Sequence, residues 1–330
     1  MESSIDRDSA EHRFATAPMM NLSDRHCRYL WGLITKRARL YTEMVTTGAL
    51  LYGDRGRFLH RNSNENRVAL QLGGSNTKDL ATCAQMAAEF DYDEVNLNCG
   101  CPSNRVQNNM IGACLMAHPG IVANCIKAMQ DAVDIKVTIK HRIGIDTIDS
   151  YQALVDFVGT IAATGCKTFI IHARKAWLQG LSPKENREKP PLQYDKVYRL
   201  KQTFPHLTIV INGGITTMKD CQLHLQHVDG VMMGREAYHN PFSLAGVDPS
   251  LFGHNAPPIS RRAVALDYLK YCEQQLTNGT RLHHLSRHLL GLYQGTKGAR
   301  HFRRFISENA HQSNADIGVI YRALEYVADN

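Results

Sequence analysis

Thr208-Ile-Val-Ile-Asn-Gly-Gly214, the amphipathic segment 218–225 and Gly230-Val-Met-Met-Gly-Arg235 make up the stretch that decides the fold. Two short apolar runs, each closed by glycine, flank a segment of helical period. Runs this short and this continuously apolar read as strands buried on both faces, as in parallel sheets. The same alternation extends back along the chain. Further candidate strands lie at 13–17, 40–44, 68–72, 94–98, 136–140 and 168–172, which with 208–212 and 230–233 makes eight. Amphipathic segments at 24–35, 76–90, 119–132 and 151–164 lie between them. Asn76 offers an N-cap, and Pro119 suits a first helical turn. Eight β-then-α units predict an α/β protein, a parallel (β/α)8 TIM barrel.

The unit after the sixth strand is long. Residues 175–193 contain Pro183, Pro190 and Pro191, which bar a continuous helix; a loop of this length in a compact domain is usually functional or disordered. After the eighth strand, Gly253 and Pro257-Pro258 mark an expected linker at 247–260. Beyond it the chain reads as an all-helical domain, with helices at 263–276, 282–292 and 315–328. The expected division is a catalytic barrel at 1–246, the linker at 247–260 and a helical domain at 261–330.

With 330 residues, 43% hydrophobic and 21% charged, the chain has apolar material for a real core, which excludes a mainly disordered protein. No apolar run reaches the roughly 18 residues of a membrane span. Residues 1–10 are polar, without the apolar centre of a secretory signal. Nine Cys, an odd number without a signal, point to free thiols in a reducing cytoplasm. Lys and Arg number 38 against 31 Asp and Glu, a net +7. From residue 261 onward there are 10 basic and 6 acidic residues, so this tail alone carries +4. A basic excess concentrated in this way, densest at 297–304, suits a polyanionic partner.

In a barrel of this kind reactive groups sit where strands end and βα loops begin. Met19 follows the first strand, Gln71 ends the third and Asn98-Cys-Gly-Cys-Pro102 ends the fourth. Lys140 and Arg142 end the fifth, His172 the sixth and Asn212-Gly-Gly214 the seventh, and Gly234-Arg235 follows the eighth. Gly213, Gly214 and Gly234 let backbone N–H groups approach an anion, to which Arg235 adds a charge; tight left-handed turns that bind nothing are the alternative. Lys140 at the end of a buried strand is costly unless it meets an anion or a carbonyl. The Cys99-Gly-Cys101 pair has no second pair at zinc-finger spacing, so no metal site is expected. A Cys101 thiol on the rim can donate a proton, whereas two small packed thiols are the bland reading. Trp177 in the long loop is a candidate stacking residue, and Trp31 a core one. No G-x-G-x-x-G follows a strand, and no Walker loop is present.

Together, Ala17-Pro-Met19, Asn96-Leu-Asn-Cys-Gly-Cys-Pro-Ser103, Lys140-His-Arg142, Ile171-His-Ala-Arg174, Ile211-Asn-Gly-Gly214 and Asp229-Gly-Val-Met-Met-Gly-Arg235 resemble the tRNA-dihydrouridine synthases, FMN-dependent TIM barrels with a C-terminal helical domain. The segment 176–187 looks like the A-type bacterial subfamily, which acts on D-loop uridines around positions 20 and 20a. The resemblance implies that FMN is held by Pro18, Met19, Gln71, Lys140, His172, Asn212, Gly213, Gly214, Gly234 and Arg235. It also implies that NADPH reduces the flavin, that hydride reaches uracil C6 and that Cys101 protonates C5. Cys99 is not expected to react, and Asn98 is a candidate to hold the extruded uracil. For tRNA the expected contacts are Lys184 and Arg187 in the long loop with Arg300 and Arg303 in the basic tail, where a spacing of three puts the latter pair on one helical face. A monomer with no membrane and no metal partner completes the expectation.

Two other readings compete. An FMN barrel acting on a small pyrimidine, as dihydroorotate dehydrogenases do, uses the same pocket but has no need of a basic helical tail. A non-catalytic RNA-binding barrel needs the basic tail but no flavin.

Overall fold

The structure is a computed structural model that describes residues 10–65, 67–103, 109–254 and 257–327. Eight parallel strands close into a barrel in sequence order: β1 (Phe14–Thr16), β2 (Arg39–Thr46), β3 (Arg67–Gly73), β4 (Glu94–Cys99), β5 (Lys136–Arg142), β6 (Thr168–His172), β7 (Thr208–Asn212) and β8 (Gly230–Met233). Closure is by Phe14, Ala15 and Thr16 in register with Val231, Met232 and Met233. The strands form where the apolar runs predicted them. The last three match residue for residue, and β2 is longer, pairing with β3 from Arg39 to Thr46 across a bulge between Tyr41 and Met44.

The helices start where side chains satisfy orphan N–H groups. Asn76 accepts from the Lys78 and Asp79 amides to open Thr77–Glu89, and Ser150 accepts from Ala153 to open Tyr151–Ala162. Thr217 and Asp220 form a reciprocal capping box on Met218–His224. Pro119 occupies the first turn of Pro119–Ala132. Two short helices, Thr47–Tyr52 and Arg55–Leu59, fill the crossover after β2, and Tyr194–Thr203 fills the end of the long sixth unit. None of these three was among the expected helices.

Tertiary contacts divide the chain into two compact units that are discontinuous in sequence. One comprises Met1–Met19, Arg39–Arg61 and Arg67–Gly234, and holds the barrel. The other gathers Met20–Ala38, Asn62–Asn66 and Arg235–Asn330. The helix Arg25–Ile34, from the first βα unit, thus belongs to the second. There Tyr29 stacks on Tyr271 with centroids 3.8 Å apart, the His26 ring hydrogen-bonds the Tyr271 hydroxyl at 2.7 Å, and the Trp31 indole N–H donates to the Ala237 carbonyl at 2.8 Å. Trp31 is fully buried, as expected. The Asp24 carboxylate caps this helix and also pairs with Arg287 and His288.

The stretch expected as a linker needs correcting. Its first half, Val247–Phe252, is a helix with Val247 and Leu251 buried. Asp248 fixes it by accepting from the Thr35 hydroxyl at 2.5 Å and the Lys36 and Arg37 amides at 2.8 and 3.2 Å. Further on, Arg261–Thr277 and Ala299–Asn309 are long helices, whereas the expected 282–292 and 315–328 shorten to Leu282–Ser286 and Gly318–Leu324.

Candidate active site

At the end of β4 the chain turns because Asn98 accepts, through its side-chain oxygen, the backbone N–H groups of Gly100 and Cys101, each at 3.0 Å. The Cys101 carbonyl receives the Ala113 N–H at 2.8 Å. Gly112 passes so close that a Cβ there would lie 2.4 Å from that carbonyl, and its φ of +87° adds to the requirement for glycine. Arg142 donates to the Gly100 carbonyl at 2.9 Å. Cys101 is therefore held from both sides of its peptide while its side chain stays half-buried. Cys99 is fully buried, and burial pushes its thiol well above the ordinary range. Only Cys101 of the pair can meet a substrate. Residues 104–108 of the same loop lie outside the described residues.

Three neighbouring strand ends form the next part of the rim. Lys140 donates to the Asn212 side-chain oxygen at 2.9 Å, and the Asn212 amide nitrogen donates to the Met232 carbonyl at 2.8 Å. His172 stands in register with both Arg142 and Asn212. Burial, aided by the Arg142 charge and opposed by Cys101, lowers Lys140 to about 7. Burial also brings Arg142 down to about 10, with Arg187 and Arg174 adding to the fall against Cys101. His172 is driven well below its ordinary value by burial, then by Arg142, Lys140, Arg174 and Arg187, so its imidazole is neutral. Among the described residues no carboxylate is among the main groups acting on Lys140 or Arg142. Buried Arg142, with half-buried Lys140 near it, makes this part of the rim complementary to an anion.

The glycine turn beside it is built for close approach. Gly213 and Gly214 have φ of +117° and +73°. A Cβ on Gly213 would lie 2.6 Å from the His172 ring, and one on Gly214 would lie 2.7 Å from Leu192. Tyr194 steadies the turn from behind by donating to the Gly213 carbonyl at 2.7 Å. At Gly234 neither strain nor crowding demands glycine, since a Cβ would meet Ala17 at an ordinary 3.7 Å. Pro18 and Met19 are half-buried, Met19 against the apolar barrel core. Gln71 lies deeper than expected for a residue touching a ligand. It is 1% exposed, donates to Asn96 and accepts from Asn98, each at 2.8 Å, which leaves it one N–H to offer.

The long loop is ordered around one residue that sequence reasoning passed over. Asn186, fully buried, exchanges hydrogen bonds with the Trp177 backbone at 2.8 and 2.9 Å, and its carbonyl accepts from Arg142 at 3.0 Å. Lys184 and Arg187 flank it and are exposed. Trp177 is partly exposed, with Lys175 over its ring at 4.2 Å. In the other compact unit, Arg235 opens Arg235–His239. Arg300 and Arg303 lie on Ala299–Asn309, the first exposed and the second donating to Gln294 at 3.0 Å. Among the described residues no three His, Cys, Asp or Glu side chains converge as metal ligands do, and no helix is long and apolar enough to cross a membrane.

A family profile described as dihydrouridine synthase matches residues 15–326. The chain belongs to the dihydrouridine synthase family. Among its relatives, proteins named tRNA-dihydrouridine(20/20a) synthase are 58% identical in Vibrio vulnificus, over 94% of this chain and 96% of that protein. The Pseudomonas putida protein is 56% identical, over 97% and 95%. That of Escherichia coli K12 is also 56% identical, over 96% and 92%. In this dihydrouridine synthase barrel Cys101 follows β4, Lys140 lies near the end of β5 and the Gly213-Gly214 turn follows β7.

Proposed function

We propose that this dihydrouridine synthase reduces the C5=C6 bond of uridine in the tRNA D-loop, at the positions in its relatives' name, 20 and 20a. The observation that carries the chemistry is geometric: half-buried Cys101, whose N–H is held by Asn98 at 3.0 Å and whose neighbour Gly100 receives Arg142 at 2.9 Å, on the strand-end side that also carries the 2.9 Å Lys140–Asn212 pair before the Gly213-Gly214 turn. The cationic cluster and the side-chain-free turn fit FMN. Lys140 and Asn212 would hold the polar edge of its ring, with Gln71 offering its remaining N–H; His172, Gly213, Gly214, Gly234 and Arg235 would hold the phosphate, and Pro18 and Met19 the ring face. Bound FMN supplies the two-electron chemistry that no side chain has, a hydride for uracil C6 replenished from NADPH.

The chain's own residues do the rest. Cys101 gives its proton to C5, so one hydride and one proton together saturate the double bond. Lys140 and Arg142 stabilise negative charge during the transfer. Asn98 holds the uracil, which must leave its stack to reach the rim. Lys184, Arg187, Arg300 and Arg303 supply phosphate contacts to a shape-read RNA. A cytoplasmic monomer suits this role. The test is mass spectrometry of tRNA from cells lacking the protein. Uridines 20 and 20a should lack the two added hydrogens and regain them when the gene is restored; full dihydrouridine at both positions would refute the reading.

A further inference from the structure

The inward positions of β4 are Glu94, Asn96 and Asn98, all buried. They begin a hydrogen-bonded column along the barrel interior. Asn98 donates to Gln71 at 2.8 Å, Gln71 to Asn96 at 2.8 Å, Asn96 to the Thr138 hydroxyl at 2.8 Å, and Thr138 to the Glu94 carboxylate at 2.5 Å. At the rim the Asn98 oxygen accepts the Gly100 and Cys101 N–H groups. Every link donates in the same direction, away from Cys101 and toward Glu94.

This polarity is forced by the two ends. Backbone N–H groups can only donate, and an ionised carboxylate can only accept. Between them lie four groups that could point either way, three amides and a hydroxyl. Flipping any one would set oxygen against oxygen or N–H against N–H, which in a buried site is expensive. Glu94 is held ionised. Burial would raise its carboxyl, but Arg39 at 3.0 Å, His12 at 2.7 Å and the Thr138 hydrogen bond bring it down to about 2. The Tyr41 hydroxyl also donates to it, at 2.6 Å.

We propose that Glu94, acting through Thr138, Asn96 and Gln71, is a positioning residue for the reaction: it locks the Asn98 oxygen onto the Cys101 peptide and so aims the Cys101 thiol. This rests on the proposed function only in giving Cys101 its task; the locking itself belongs to the unliganded barrel. The weakest link to cut is Thr138, because Thr138→Val keeps the shape and removes one hydroxyl, and Thr138→Ser returns it.

The test has two readouts. The first is the alkylation rate of Cys101 by iodoacetamide in the full-length protein, resolved by peptide mass. Thr138→Val should change it severalfold, leave the rate at Cys114 as it was and return to the wild-type rate in Thr138→Ser. The second is turnover. Thr138→Val should form dihydrouridine about tenfold more slowly at saturating tRNA, with NADPH-driven flavin reduction within twofold of wild type. Wild-type rates in both readouts, or equal damage in Thr138→Ser, would overturn the proposal. A wild-type protein that takes up no FMN or makes no dihydrouridine would instead sink the functional reading, and the alkylation result would still decide the positioning claim.

Discussion

Inside the barrel, β1 with the residue after it, β6, β7 and β8 contribute Ala15, Ala17, Ile170, Val210 and Met232, an apolar cluster that Ala69 and the Tyr41 ring complete. On the other side, β3, β4 and β5 contribute Gln71, Glu94, Asn96, Asn98, Thr138 and Lys140. Both sides are largely buried, yet they are built on opposite principles. The apolar side is worth its buried area and tolerates changes of shape that conserve volume. The polar side gains little net stability from each hydrogen bond but allows only one pattern of donors, because a buried group left unmatched costs the full desolvation. In the proposed reading, the barrel interior packs along one wall, and the other wall positions Cys101.

The largest separation between the walls should come at Glu94. Glu94→Ala leaves Arg39 and His12 facing a void, at a cost of about 3–5 kcal/mol in chemical denaturation. A loss under ~1 kcal/mol would remove the column's anchor from the account. Lys140→Met should weaken FMN binding by roughly 1.5–3 kcal/mol, the worth of a hydrogen bond to a charged group. The sign with pH follows from its lowered value. The unliganded protein loses the Lys140 charge as pH rises through about 7, so flavin affinity should fall from pH 7 to pH 9 in wild type and stay flat in the variant. The same shift makes the apoprotein more stable as pH climbs from about 7 toward 10.5, since only the unfolded chain still binds that proton there. Fluorescence titration of FMN across pH tests the first and denaturation the second; parallel profiles in the two proteins would contradict both.

Across the barrel, Ile170→Val should cost only ~0.5–1.5 kcal/mol and leave turnover unchanged. A large loss of turnover there would break the division of labour. The smallest effect on chemistry is expected at the long loop. Lys184→Ala combined with Arg187→Ala should weaken tRNA binding and lower its salt slope by about 0.7 per lost phosphate contact, with NADPH oxidation intact. An unchanged salt slope would take the loop out of the interface.

The apolar wall was legible in the sequence because its signal is local. Thr168-Phe-Ile-Ile-His172 and Thr208-Ile-Val-Ile-Asn212 can be little else than doubly buried strands, and their bounds match the structure. Cys101, Lys140 and Asn212 were legible as candidates because polar groups at the ends of such strands need a reason to be there. The column was not. Asn96 and Thr138 look like ordinary strand residues, and their partners are 25 and 42 positions away. Gln71 was expected against the ligand, whereas its amide is mostly used within the column. Asn186 escaped notice for a related reason, because the Pro-rich loop around it signals irregular backbone without saying which residue ties it down. The helix in 247–252 was hidden by the glycine and prolines that follow it; its stability comes from Asp248 capturing Thr35, 213 positions away.

The most direct measurement of the central claim is a single turnover. Protein reduced with NADPH is mixed with unmodified tRNA, and the return of flavin absorption is followed. Cys101→Ala should reduce its flavin at the wild-type rate and bind tRNA normally, yet reoxidise about 100-fold or more slowly, since a general acid contributes roughly that much. Reoxidation of the variant at the wild-type rate would mean that the proton comes from elsewhere and that the polar wall is aimed at nothing.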